Sequence, residues 1–122
     1  MIITRRKAKE IKIGKVKIGG NNPIAIQSMT KVPTKDYRRV IAQVKALQTA
    51  GCDIVRVAVR DEEDARAISR IKSAIAIPLV ADIHFNWKLA VSAISAGADK
   101  IRLNPGNIYK REELKEVIAA AK

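Results

Sequence analysis

Ala50-Gly51-Cys52-Asp53-Ile54-Val55-Arg56 returns 46 positions later as Ala96-Gly97-Ala98-Asp99-Lys100-Ile101-Arg102. In each copy a helical pattern ends and a glycine follows, in the place where a left-handed residue commonly stops a helix. An apolar run of strand length then begins. The same helix stop, turn and strand entry are thus used twice. In a (βα) barrel, alternate strands send side chains into one interior layer. The two copies lead into the second and fourth strands of a parallel series, so Arg56 and Arg102 are expected to point into one space.

The units on either side follow the same rhythm. Residues 11–18 alternate apolar and Lys positions around Gly14-Lys15, the pattern of a two-stranded hairpin whose outward lysines keep an exposed edge from pairing. Ile24–Ser28 reads as a strand, Met29–Thr34 as a loop, and Lys35–Ala50 as a helix capped by Thr34 with Val40, Val44 and Leu47 on one face. Ile54–Val59 is the next strand. A helix capped by Asp61 runs to Ser73, with Ala65, Ile68 and Ile71 inward. Leu79–Ile83, a helix from Asn86 through Ala96, strand Lys100–Leu103, a sharp Asn104-Pro105-Gly106-Asn107 loop and a last helix, Arg111–Ala121, complete the series. That helix is expected to turn Leu114, Val117, Ile118 and Ala121 inward.

Strands separated by helices and nearly apolar along their length pair in parallel with both faces covered. The dinucleotide and P-loop versions of an open sheet lose their support, because neither glycine signature occurs. The reading is α/β: a parallel (βα)4 half of a TIM barrel occupying residues 1–122, with the hairpin in 1–20.

Composition agrees with one packed domain. The 122 residues are 48% hydrophobic, without low-complexity tracts, and no apolar run reaches membrane-span length. No secretory signal is legible at the N-terminus, so a cytoplasmic location is expected. The net charge of +12 is concentrated, half of it in residues 1–17. Aromatics make up only 3% of the chain and no nucleic-acid recognition motif is present, so the basic segment reads as a solvated face. The single cysteine, Cys52, excludes an internal disulfide and reads as core packing at a strand entry. Trp87 reads as a helix-surface anchor, and the Asp61–Asp64 run as a helix N-terminus complementing its dipole, not a metal site.

Chemistry gathers in the strands, where purely structural strands need no polar residues. The candidates are Gln27 with Ser28 on the first strand, Arg56 on the second, Asp82 and His84 on the third, and Arg102 and Asn104 on the fourth. Asp82/His84 and Arg102/Asn104 are each spaced by two and so share a face. In parallel α/β folds the C-terminal strand ends build the site. Guanidinium groups match phosphate oxygens bidentately and keep their charge when desolvated, so two converging arginines point to a dianionic or diphosphate ligand. The loop through Asn107 adds backbone donors ahead of a helix. The competing structural reading is a polar layer in which Arg56 and Arg102 pair with Asp82.

Four ordered segments, Pro23–Thr30, Gly51–Val59, Ile77–Phe85 and Lys100–Asn107, resemble the 4-hydroxy-3-methylbut-2-enyl-diphosphate synthase family, the iron–sulfur enzymes of the methylerythritol phosphate route to isoprenoids. The resemblance runs from about Arg5 to Lys122. It implies a TIM barrel followed by a domain carrying a [4Fe–4S] cluster, with 2-C-methyl-D-erythritol 2,4-cyclodiphosphate as substrate. Two electrons from ferredoxin or flavodoxin open the cyclic diphosphate and remove water. It further implies a homodimer in which the other subunit's cluster closes over the barrel mouth. By the same resemblance Arg56, Arg102 and Asn104 contact the diphosphate or substrate, with Asp82 and His84 beside them, Asn107 in the adjoining loop and Gln27 on the floor; the catalytic acid is not assigned. The family's cluster needs three cysteines and a glutamate, so its ligands are expected outside this chain, together with the C-terminal half-barrel. This segment alone is expected to be inactive. Two other readings stay open: a pterin- or phosphosugar-binding barrel segment, and a basic module that attracts polyanions.

Overall fold

The computed structural model describes residues 6–104 and 110–122. The hairpin pairs β1 (Ile11–Ile13) with β2 (Val16–Ile18) antiparallel, Ile13 opposite Val16 across the Gly14-Lys15 turn. β3 (Gln27–Met29), α1 (Tyr37–Thr49), β4 (Ile54–Val59), α2 (Glu62–Ala74), β5 (Leu79–Ile83), α3 (Trp87–Ser95), β6 (Lys100–Leu103) and α4 (Arg111–Ala121) follow. The larger sheet has the order β3-β4-β5-β6 and every pair in it is parallel.

Spatial order therefore equals chain order, without the reversal that marks a doubly wound sheet. Side-chain parity leads to the same conclusion. Val55, Val57, Val59, Leu79, Ala81 and Ile83 share one core with Val40 and Val44 of α1, Ile68 and Ile71 of α2, Ala93 of α3 and Val117 of α4. All four helices thus lie on one face of the sheet. The alternate positions Ile54 and Val80 turn to the other face, where Ile13 packs on them together with Val16, Ile18 and Ala25. Four βα units wound one way, helices outside and a hairpin across the inner floor, make half of a TIM-barrel wall. Among the described residues no helix is long and apolar enough to cross a membrane.

The repeated frame is a structural device. After α1 and after α3 the glycine takes a positive φ, 100° at Gly51 and 109° at Gly97. Around each, the N–H groups of Cys52 and Ala98 reach back to Leu47 O and Ala93 O, and those of Gly51 and Gly97 to Gln48 O and Ile94 O. This double closure satisfies carbonyls that the helix end would leave open, and a side chain with a Cβ fits that conformation poorly. The aspartate two residues after each glycine then grips the preceding strand entry. Asp53 accepts from Ile26 N at 2.8 Å while its own N–H donates to Ile26 O. Asp99 accepts from Leu79 N at 2.8 Å, donates to Leu79 O, and holds Lys72 Nζ at 2.6 Å.

Two expected starts move, and the buried stripe of α4 is narrower than expected. β3 begins at Gln27, not Ile24, because Ile26 gives its N–H to the Asp53 carboxylate and its carbonyl to both Asp53 N and Ile54 N. α1 starts at Tyr37 with Asp36 at its N-cap, because Pro33 O closes a turn on Asp36 N and the Lys35 N–H is taken by Asp64. Thr34 is buried with its hydroxyl unpartnered, so it caps nothing. In α4, Val117 is buried and Leu114 half-buried, but Ile118 and Ala121 are exposed, because α4 packs on α3 and buries only a narrow stripe. The Asp61 and Asn86 caps stand as expected, accepting from Asp64 N and Lys88 N.

Asp99→Ala should lower unfolding free energy by about 2–3 kcal/mol, the worth of a partly buried carboxylate bonded to backbone and ammonium. Ile118→Ala should change it by less than about 0.5 kcal/mol. Urea unfolding of both variants checks the pair.

Candidate functional site

Counting from the hydrogen-bond register, the inner face of the sheet carries Gln27 and Met29 on β3, Ile54, Arg56 and Ala58 on β4, Val80 and Asp82 on β5, and Lys100 and Arg102 on β6. Directly paired residues of a parallel sheet share a face, so Asp82 and Arg102 sit side by side at the level of Ala58. Arg56 sits one layer lower, beside Met29 and Val80. The two arginines therefore face the same space but from successive layers, two residues apart in height.

Asp82 joins them. Its side chain is only 7% exposed; Arg102 Nη1 donates to Oδ1 at 2.9 Å, and Oδ2 lies 3.9 Å from Arg56 Nε and 3.7 Å from His84 Nε2. The polar-layer pairing and the converging arginines are thus one arrangement. A single carboxylate set among two guanidinium groups leaves one positive charge uncompensated, before any protonation of His84. Among the described residues Arg56 Nε is buried without a hydrogen bond, and Arg56 Nη2 donates to the sulfur of Met29 at 3.6 Å. A buried donor without a hydrogen bond costs about 1–3 kcal/mol, which the attraction of the Asp82 carboxylate at 3.9 Å offsets in part. The Arg102 side chain is half exposed.

His84 and Phe85 complete the end of β5. His84 N–H extends the ladder to Val59 O; two residues on, Asn86 N–H turns back to His84 O at 2.8 Å. Phe85 between them has φ of 65°, among described non-glycine residues the one with positive φ. This is the γ-turn of positive φ, a rare and strained form that costs roughly 1–2 kcal/mol for a residue with a Cβ. The Phe85 ring stands edge-on to the His84 ring, centroids 6.0 Å apart at 73°. Sequence reading missed Phe85, since nothing in residue spacing marks a left-handed turn at a non-glycine.

The β3–α1 and β4–α2 loops meet at the same end of the sheet. Asp64, buried in the first turn of α2, accepts from Lys35 N at 2.8 Å and from Arg60 N at 3.0 Å and so ties the two loops together. Beside it a cavity of about 460 Å³ is lined by Thr30, Lys31, Thr34, Arg60 and Ala58 among others. Thr30 and Thr34 bury hydroxyls that have no hydrogen-bond partner among the described residues. Asp64 is thus more than the dipole-complementing acid expected from the Asp61–Asp64 run. At the rim, Lys35 Nζ donates to Asp61 Oδ2 at 2.8 Å. That hydrogen bond raises the Lys35 ammonium and lowers the Asp61 carboxyl relative to their ordinary pKa values, the Asp64 N–H adding to the latter.

The remaining candidates are dispersed. Gln27 faces inward but pairs with Ile54, four residues or about 13 Å along the strand below Asp82, at the floor beside the hairpin cluster. Asn104 follows β6 directly, and Asn107 lies outside the described residues. Trp87 packs partly against the helix-side core. Cys52 is buried at a strand entry, its Sγ 3.0 Å from Ile54 O and 3.7 Å from Ile26 O, at the opposite end of the sheet from Asp82. No group of three or more His, Cys, Asp or Glu side chains suited to a metal occurs among the described residues. These residues do not fit an iron–sulfur cluster.

The fold defines a class: half of a parallel (βα) barrel, with an Arg–Asp–His group at the C-terminal ends of its strands. The model of the GcpE TIM-barrel domain matches residues 8–122, and the chain belongs to that family. Curated relatives named 4-hydroxy-3-methylbut-2-en-1-yl diphosphate synthase (flavodoxin) include proteins from Caldanaerobacter subterraneus subsp. tengcongensis, 57% identical over all of this chain and 34% of the relative, and Thermotoga maritima, 59% identical over 93% and 33%. Another, from Nitratidesulfovibrio vulgaris, is 52% identical over all of this chain and 32% of its own length. The chain thus spans about a third of the curated relatives it matches. Among solved structures, a Xanthomonas albilineans dihydropteroate synthase aligns with TM-score 0.66 at 16% identity over 93% of this chain and 47% of that one. A mandelate oxidase aligns with TM-score 0.58 at 15% identity over 98% and 62%. At such identities these two likenesses carry the fold alone.

Two outcomes follow. Asp82→Ala should destabilise the protein by about 3 kcal/mol, because it leaves buried guanidinium charge uncompensated, whereas Arg102→Gln at a half-exposed partner should cost less than about 1 kcal/mol; denaturant titration separates them. In Lys35→Met the Asp61 titration, followed by NMR, should move up toward the ordinary carboxylate range. Since the folded-state value is the lowered one, the pair's small contribution to stability is full above the ordinary aspartate range. It is lost as pH falls through the depressed value, and the variant should lack that acid-side loss.

Proposed function

We propose that this chain is the N-terminal half-barrel of a 4-hydroxy-3-methylbut-2-en-1-yl diphosphate synthase and supplies part of its diphosphate-binding mouth. In this reading the whole protein is an oxidoreductase of isoprenoid biosynthesis. It reductively opens 2-C-methyl-D-erythritol 2,4-cyclodiphosphate, taking two electrons from flavodoxin or ferredoxin and releasing water. The observation that carries the reading is the shared carboxylate: Asp82 holds Arg102 and faces Arg56 and His84 at the C-terminal ends of adjacent strands, in a chain more than half identical to proteins of that name.

Each residue has a definite task in this proposal. Arg102, half exposed at the mouth, takes two diphosphate oxygens with its fork, and Arg56 offers the exposed part of its guanidinium from the layer below. Asp82 is the positioning residue that orients both guanidinium groups before the ligand arrives, which reduces the ordering cost of binding. His84 adds a donor beside them, Asn104 and Asn107 add amides from the end of β6 and the loop after it, and Gln27 lines the floor. The other half of the barrel, the cluster and its ligands belong to parts of the protein beyond this segment. A dimer whose partner subunit covers the mouth, and a cytoplasmic location, belong to the same reading.

In the full-length protein, Arg102→Lys should lower kcat/KM for the cyclodiphosphate by about tenfold or more although the charge is kept, because the bidentate fork is lost. Steady-state kinetics with reduced flavodoxin test this. Unchanged KM and kcat would remove Arg102 from the site. Retention of affinity for DNA, but not for the cyclodiphosphate, at physiological salt would favour a polyanion-binding module instead.

A further inference from the structure

We propose that Phe85 is the apolar wall of the anion site and selects its ligand: a phosphorylated molecule whose hydrocarbon part lies against the Phe85 ring. The proposal rests on the anion-site reading above and adds the chemistry of the ligand's other end. Five large apolar side chains are exposed among the described residues. Four of them belong to the hairpin (Ile11), the lead into β3 (Ile24 and Ile26) and α4 (Ile118). Phe85 stands at the mouth, 72% exposed, one residue beyond His84. Its ring meets the imidazole edge-on, and that imidazole lies 3.7 Å from the carboxylate shared by the arginines.

Its backbone makes this placement informative. Glycine enters the γ-turn at 85 without strain, and phenylalanine does not. A ring so exposed gains little from burial within this segment, so packing here does not explain why the turn holds a large aromatic. Contact with a ligand does. The charged mouth supplies specificity for phosphate but none for carbon; an exposed aromatic face beside it supplies a surface for methyl and methylene groups. An organic diphosphate would cover the ring, and inorganic pyrophosphate would not.

The full-length protein carries the test, with Phe85→Ala, Phe85→Leu and Phe85→Gly compared by substrate KM, by competitive inhibition with inorganic pyrophosphate, and by thermal melting. The alanine and glycine variants should raise the KM for the cyclodiphosphate by about five- to tenfold with little change in kcat, the effect of losing contact with part of an aromatic face. Pyrophosphate inhibition should stay within about twofold of wild type, and Phe85→Leu should keep most of the affinity. Phe85→Gly, freed of the left-handed strain, should melt no lower than wild type. An unchanged KM, or an equal loss for pyrophosphate and substrate, would overturn the proposal. A lower melting point in Phe85→Gly would show the ring packed against the remainder of the protein, with the same consequence. If pyrophosphate does not compete with the wild-type protein, the anion-site reading itself fails and this proposal with it.

Discussion

Much of this structure hangs on the grip of one aspartate on a neighbouring strand. Asp53 and Asp99 each stand two residues beyond a glycine that has closed a helix, and each bonds side chain and backbone to one residue of the preceding strand's entry. That choice of partner sets the register. With Asp53 on Ile26, Arg56 comes level with Met29; with Asp99 on Leu79, Arg102 comes level with Asp82. A one-residue slip would turn the arginines into the helix layer and the valines into the mouth. The inner-face arginines are therefore aimed from the opposite end of the sheet.

At the mouth, the same economy is reached with one carboxylate. Two arginines in successive layers would repel each other, and Asp82 between them offsets that repulsion and orients both, Arg56 mostly buried and Arg102 half exposed. In this group the positive charges outnumber the negative. The unpartnered Nε of Arg56 and the strained turn at Phe85 are departures from local rules of the kind that stable, purely structural regions avoid. Both lie within the reach of Asp82 and His84.

The alternation of apolar strands with capped helices was legible because each signal is local: Asp61 and Asn86 cap as their positions suggest, and Gly51 and Gly97 stop helices as theirs do. The Arg–Asp–His grouping was legible because strand parity turns a spacing of two into a shared face. What escaped was long-range. Thr34 looks like a cap, but Asp64, 30 positions later, takes the Lys35 N–H and moves the helix start. Ile118 belongs to an apolar stripe by its spacing, yet the packing of α4 on α3 buries only Val117 fully. The layer offset between Arg56 and Arg102 could not be read from the repeat, because an identical frame gives an identical height only relative to each strand's own neighbour.

The two ends of the half-barrel divide stability from chemistry, and the hairpin explains how. The inner face of a parallel sheet needs cover along its whole length, yet polar residues are wanted near the strand ends. Here Ile13, Ile54 and Val80 close the floor as a small separate cluster. Arg56 lies level with Val80, and one layer above, beside Ala58, stand Asp82 and Arg102. The apolar floor excludes water beneath the guanidinium groups, which strengthens their electrostatic hold on whatever sits above them. The basic hairpin thereby serves the site from below by packing alone, its lysines facing away on the outer surface. Lys12, Lys15 and Lys17 are exposed there, and strand edges that carry lysine resist pairing with other edges.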